Sequence, residues 1–269
     1  MPLALAVPEI IFLDEVDSTN TYARTHFDDL PDGTLVVAKN QTAGRGRRGR
    51  VWVSPPGVNF TGSVLFKQLE DGFHAGCLLG VATLALLREL SPELPAYLKW
   101  PNDIYVHDRK LAGILSESTR IEHGKITAVV SGIGVNVNLP PEIIAQIDQP
   151  ATSLFAETDQ KFNLEIFSKK LAKQLIRYYI IYLKNSGAIF REWKESNLLL
   201  NEVITIVDSG GVAHTGIFQD IREDGSMELA VGDSIFLFQC GDVKIDPKSV
   251  DWQKMNLKAT SKGYSKTFT

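Results

Sequence analysis

The sequence predicts an α+β protein: helices packed on a β-sheet, followed by a small all-β barrel. Three observations carry this. Short apolar runs broken by Pro, Asn, Asp and Gly fill most of residues 34–138. A long stretch with helical apolar spacing follows at Asn163–Asn185. Beyond Asn197 the text turns to short alternating runs separated by Ser-Gly-Gly, Glu-Asp-Gly-Ser and Gly-Asp turns. The expected division is a main domain over 1–196, a barrel over 197–248 and a polar, basic tail over 249–269.

In chain order, Asp14 to Phe27 passes from strand-like residues to hydroxyl and amide side chains that can cap a helix starting near Ser18. Thr34–Lys39 and Val58–Phe66 read as strands and Phe73–Leu90 as a helix. Tyr97–Trp100, Ile104–Val106, Lys110–Ser116 and Ile126–Asn138 read as further strands. In the helix Asn163–Asn185 the residues Leu164, Phe167, Leu171, Leu175, Tyr178, Tyr179 and Tyr182 recur at three and four, and Gly187 is placed to end it. A second helical piece, Ala188–Ser196, precedes barrel strands at Val203–Val207, His214–Gln219, Met227–Val231 and Ile235–Gln239.

With 269 residues and 44% hydrophobic content the chain can bury a sizeable core. A net charge of -4 argues against a protein that coats nucleic acid or anionic membrane, so an anion site must be local. The longest apolar run, Cys77–Leu87, falls short of the roughly 20 residues of a membrane span. Two distant cysteines and a start without a basic n-region point to a reducing cytoplasm. His26, His74, His107, His123 and His214 are scattered without ligand spacing, so no structural metal is expected.

One segment departs from the acidic background. Gly33 to Leu69 holds no carboxylate but carries Lys39, Arg45, Arg47, Arg48, Arg50 and Lys67, a local charge of +6. Glycines let backbone amides approach an anion and arginine forks bind phosphate or carboxylate bidentately. From the run alone, a solvated loop or a nucleic-acid patch stands as readily as a phosphate site. The Gly44, Gly46, Gly49 match to a dinucleotide fingerprint is spurious, because Val-Trp-Val-Ser-Pro-Pro at 51–56 cannot open a helix. A P-loop is excluded too, since Arg50-Val51 stands where Lys-Ser/Thr is needed, and no Gly-x-Ser-x-Gly elbow is present.

Five motifs in order carry a family resemblance: Ser-Thr-Asn at 18–20, Gln-Thr-Ala-Gly-Arg-Gly-Arg-Arg-Gly-Arg at 41–50, Lys-Trp-Pro-Asn-Asp at 99–103, Arg-Lys-Leu-Ala-Gly-Ile-Leu at 109–115 and Gly-Ile-Gly-Val-Asn at 132–136. Together they strongly resemble the biotin–protein ligases, over Ile10 to Ile245, in the short form without an N-terminal DNA-binding domain. The resemblance implies a mixed β-sheet with flanking helices, the class II synthetase-like biotin–lipoate ligase fold, with an SH3-like C-terminal barrel. It also implies a two-step reaction. Biotin attacks the α-phosphate of ATP to give biotinyl-adenylate, and a lysine of a biotin carboxyl carrier domain then attacks that anhydride.

By position in the motifs, Ser18, Thr19, Asn20 and Gln41 would bond the biotin ring, with Gly44, Gly113 and Gly132 shaping its pocket. Helix capping is the bland reading of Ser18 and Thr19. Arg45 and Arg47 would face the carboxylate and phosphate, with Arg48 beside them, and Trp52 would cover the adenine. Lys110 would stabilise charge at the reacting atoms, making Lys110, Arg45 and Arg47 the catalytic set. Asn102 and Asn136 would orient phosphate or ribose. Asp103 is read as either a Mg²⁺ contact or a turn-stabilising side chain, with the turn favoured, and Mg²⁺ would reach the site with ATP rather than through a protein metal site. No nucleic-acid or membrane partner is expected, and one sequence does not decide whether a homodimer forms. Lipoate ligase or octanoyltransferase chemistry, a biotin-sensing DNA-binding repressor and an inactive binding module are the rival readings.

Overall fold

The computed structural model describes residues 9–123, 125–239 and 241–244. Cys240 and the 249–269 tail lie outside the described residues.

Seven strands build the main sheet: β1 (Ile10–Val16), β2 (Leu35–Gln41), β3 (Phe60–Phe66), β4 (Ala96–Lys99), β5 (Asp103–Val106), β6 (Arg109–Glu122) and β7 (Lys125–Val135). Their order is β1-β2-β3-β7-β6-β5-β4. β1 and β2 run parallel, joined by the helix α1 (Thr19–Thr25), and the other neighbours are antiparallel. The sheet is therefore mixed. β3 is buried at every residue, as expected of an apolar run covered on both sides.

The long helix α2 (Gly72–Leu90) is capped by Asp71, whose carboxylate accepts from the backbone N–H of Phe73 and His74. By length and composition α2 could cross a membrane, but here it is the central core helix, buried between the sheet and the helices that follow. Two short helices, α3 (Pro141–Ile144) and α4 (Leu154–Thr158), occupy the 139–160 stretch, where periodicity offered no signal.

Helix α5 (Leu164–Lys184) buries Phe167, Leu171, Leu175, Tyr178 and Tyr179. Its end differs from expectation. The helix stops at Asn185, which leaves helical geometry at φ -157° and ψ 87°, and Gly187 falls in the first turn of α6 (Ser186–Glu195). The reason is tertiary: breaking at Asn185 turns Ile189, Phe190 and Trp193 back onto α2, where Trp193 packs at Gly80 and edge-on to Phe73.

The C-terminal part is a five-stranded antiparallel sheet of β8 (Val203–Val207), β9 (Ala213–Ile221), β10 (Met227–Val231), β11 (Ser234–Phe238) and β12 (Asp242–Lys244), in the order β11-β10-β9-β8-β12. β12 had no sequence signal of its own. Among the described residues no pairing joins β11 to β12, so the sheet is compatible with an SH3-like unit without being closed into a barrel. Its inner residues Ile204, Ile206, Phe218, Met227 and Leu229 belong to the same buried cluster as the main core. Two hydrogen bonds reinforce this junction: the Leu98 N–H donates to the Ser196 carbonyl at 3.0 Å and Trp100 Nε1 donates to the Gly225 carbonyl at 2.9 Å.

Trp193 is 2% exposed where α2 meets α6. Trp193→Ala is expected to destabilise the protein by about 3–5 kcal/mol, measured as a lowered urea midpoint. A loss below about 1 kcal/mol would show that this contact is not a principal support of the core.

Candidate active site

A cleft of about 510 Å³ opens over one face of β6 and β7. Its floor is bare backbone because Gly113 pairs with Gly134 and Leu115 with Gly132 in the antiparallel register, and alternate residues of β7 share a face. A Cβ at Gly132 would stand 2.3 Å from Asn20 Oδ1, and one at Gly134 would stand 2.2 Å from the Trp52 indole. Only glycine admits these approaches. Gly134 was missed by the sequence reading, although the Gly-Ile-Gly alternation already put it on the same face as Gly132.

One end of the cleft is lined by neutral polar groups. Thr19 donates from its N–H (2.8 Å) and its hydroxyl (3.1 Å) to Gln41 Oε1. The Ser63 hydroxyl, on β3, lies 2.7 Å from Thr19 Oγ1 and 2.6 Å from Asn20 Oδ1. Asn20 Nδ2 donates to Glu117 Oε2 at 2.7 Å and to the Leu115 carbonyl at 3.1 Å. Ser18 precedes α1 but its side chain makes no capping bond, so capping does not explain it, and it lines the cleft. Ser63 and Glu117 were not singled out from sequence; they become visible only when β3 and β6 bring them to α1.

The basic loop is a hairpin. Arg48 at φ 55° and Gly49 at φ 73° reverse the chain, so that Arg45 bridges Val51 and the Trp52 N–H donates to the Gly44 carbonyl. No helix follows, in keeping with the rejection of a dinucleotide fingerprint. The arginines divide among separate acceptors. Arg45 pairs with Glu117 at 3.1 Å, which also takes Arg24 at 3.3 Å. Arg47 Nη1 donates to Asn102 Oδ1 at 3.0 Å, while Asn102 Nδ2 donates to the Ile114 carbonyl at 2.6 Å. Arg48 and Arg50 reach Asp242 of β12 at 3.4 and 2.5 Å. Arg45, Arg47 and Arg50 line the cleft; Gly44 and Arg48 stand behind it.

Lys110 projects from β6 and forms an ion pair with Asp103 at 2.7 Å, its Nζ lying 5.9 Å from the centre of the Trp52 ring. Asp103 is thus the counter-ion of a cleft lysine at the start of β5, a role the turn reading did not anticipate. The Trp52 indole rests across Gly113 and Gly134, and its buried Nε1 has no hydrogen-bond partner in the protein. Asn136 departs from expectation: it is 3% exposed, its Nδ2 donates to the Thr152 carbonyl at 2.9 Å and its Oδ1 accepts from Asn59 at 3.2 Å. Both ends of the amide are used inside the protein, so Asn136 supports the cleft from behind instead of lining it.

Lys99, of the Lys-Trp-Pro-Asn-Asp motif, also lines the cleft and was missed as a site residue. Burial pushes its amine down to about 8. Among the described residues no three His, Cys, Asp or Glu side chains cluster as a metal site would require.

Comparison with known proteins agrees with this geometry. Residues 12–136 match the model of the Biotin/lipoate A/B protein ligase family. A biotin--[acetyl-CoA-carboxylase] ligase of Paracoccus denitrificans is 34% identical over 224 residues, which is 81% of this chain and 92% of that protein. The bifunctional ligase/repressor BirA of Salmonella typhimurium is 41% identical over 245 residues, 88% of this chain and 74% of that protein. Among solved structures, the biotin protein ligase from Aquifex aeolicus in complex with biotin and ATP superposes with a TM-score of 0.73 at 27% identity, covering 88% of this chain and 97% of that one. Matched at 34% identity over nine-tenths of a curated ligase, the chain belongs to the biotin/lipoate A/B protein ligase family, as a biotin protein ligase.

Proposed function

We propose that this chain activates biotin with ATP to biotinyl-5′-AMP and then transfers biotin to a lysine of a carboxyl carrier domain of the acetyl-CoA carboxylase type. The observation that carries the reading is the cleft's polarity: a neutral, hydrogen-bonding end at Ser18, Thr19, Asn20 and Gln41 runs into a wall of Arg45, Arg47 and Lys110 over a glycine floor. A ring bearing a ureido group fits the first part and a carboxylate meeting phosphates fits the second. Residues 1–196 form the catalytic domain and 197–248 the SH3-like unit that closes one side of the cleft through Asp242.

The chain holds its reactants in line and neutralises the charge that develops, without forming a covalent bond to them. Lys110, oriented by Asp103, faces the carboxylate and α-phosphate; Arg45 and Arg47 hold the same anions, with Asn102 fixing the Arg47 fork. Trp52, which lines the cleft beside Lys110, covers the adenine. Mg²⁺ enters as part of the MgATP substrate: of the cleft carboxylates, Asp103 and Asp242 are paired with basic side chains, and among the described residues no three His, Cys, Asp or Glu side chains cluster as a metal site. A buried free thiol at Cys77 supports a reducing, cytoplasmic setting.

ATP–pyrophosphate exchange with Mg²⁺ tests the reading. Biotin, and neither lipoate nor octanoate, is expected to drive exchange, and Lys110→Ala is expected to lower it by about 10²–10³. Exchange driven by lipoate or octanoate would assign the protein to the lipoyl branch, and none with any acid would leave a binding module. The arginine hairpin, with its repelling charges, is expected to become ordered over the adenylate. Tryptic cleavage at Arg47, Arg48 and Arg50 should therefore slow at least several-fold when biotin and ATP are added together. Unchanged cleavage would exclude ligand-dependent ordering.

A further inference from the structure

Lys99 is a buried cation whose hydrogen-bond partner is neutral. It is 7% exposed at the end of β4, and its Nζ donates to the Tyr105 hydroxyl at 3.1 Å, 4.2 Å from the centre of that ring. Among the described residues no carboxylate comes within ion-pair distance of it. The charges facing it come from three sides of the cleft. Asp103 on β5 and Asp242 on β12 favour the ammonium, while Lys110 on β6 and Arg50 of the hairpin oppose it. Desolvation is the largest influence, and with the two cations it outweighs the two carboxylates and brings the amine from 10.5 to about 8. The Tyr105 phenol, pushed well up by its own burial and then by Asp103, keeps its proton. A phenol can accept from an ammonium or donate to an amine, so both forms of Lys99 stay hydrogen-bonded.

The cleft therefore holds two lysines with different chemistry. Lys110 is ion-paired with Asp103, whereas Lys99 bonds a phenol and has a neutral form within reach. About a tenth of Lys99 is neutral at pH 7, against about one in three thousand for an ordinary lysine amine. A bound triphosphate would hold it charged, and departure of pyrophosphate would release it.

Resting on the ligase reading above, we propose that Lys99 is the general base of the transfer step. Its Nζ takes one proton from the ammonium of the incoming carrier lysine. The freed lone pair forms the C–N bond at the biotinyl carbonyl, the C–O bond to phosphate breaks, and that electron pair leaves with AMP. The second proton of the new amide nitrogen passes to water, as does the one held by Lys99.

The test uses the full chain loaded with synthetic biotinyl-5′-AMP, with single-turnover transfer to a carrier domain followed from about pH 6 to about pH 9.5. The wild-type rate is expected to rise about tenfold per pH unit and to level near pH 8. Lys99→Arg keeps the charge but cannot act as a base. It should be at least about 100-fold slower at pH 7 and should go on rising above pH 8. Lys99→Met, which keeps the volume and folds without a buried amine, should show the same loss. Hydroxylamine, uncharged at neutral pH, needs no base, so its capture by the adenylate should differ by no more than about threefold between variants and wild type. A wild-type profile without a bend near pH 8, or variants that slow hydroxylamine as much as the carrier, would overturn the assignment. Biotin-driven pyrophosphate exchange by the wild type separates the two ideas: its absence defeats the ligase reading, whereas its presence with an unaltered transfer profile defeats the role of Lys99 alone.

Discussion

The structure of the site depends on the pairing of β6 with β7, which sets Gly113 against Gly134 and leaves Gly132 beside them. Removing three side chains from one face of a sheet costs packing and backbone entropy that a strand does not ordinarily give up. What it provides here is approach distance. Asn20 reaches the backbone at Gly132, and the Trp52 indole lies against it at Gly113 and Gly134. A shift of that register by one residue would turn the glycines to the helix-covered face and put Ile133 and Ile114 into the cleft.

The arginine hairpin meets a different constraint, the repulsion of four like charges within seven residues. The protein spreads them over three acceptors on different elements: Glu117 on β6 for Arg45, Asn102 before β5 for Arg47, and Asp242 on β12 shared by Arg48 and Arg50. These contacts are partly exposed and individually weak, so an anionic ligand can exchange with them at little cost. The hairpin is thereby linked to the C-terminal sheet as well as to the sheet floor, and charge entering the cleft is felt by both.

Lys99 and Lys110 show how burial and pairing divide one residue type into two chemistries. Lys110 gains a carboxylate partner; Lys99 gains a phenol, and burial weakens its hold on a proton. The two lysines stand on β4 and β6, two strands apart with β5 between them.

The main elements were legible in the sequence because hydrophobic period is a local property. The β3 run, the α2 core helix, the α5 stripe and the Gly-punctuated C-terminal strands all follow from residues within one element. The order of the motifs named the family and brought Ser18, Thr19, Gln41, Arg45, Arg47 and Lys110 to one site in advance. What remained hidden depends on which distant groups meet. The break at Asn185 instead of Gly187 is set by where α6 must land on α2. Asn136 sits in a motif, yet its amide is consumed by Asn59 and Thr152, which no spacing rule discloses. Ser63, Glu117, Asp242 and the lowered basicity of Lys99 arise from through-space neighbours up to 194 residues away in the chain. The sequence by itself thus determined the main elements, two of the three floor glycines and much of the chemistry available to the cleft. Only the tertiary structure decided how each cation is paired and which amine can lose its proton, because charge interactions and desolvation depend on distance and burial in the folded chain, not on order along it.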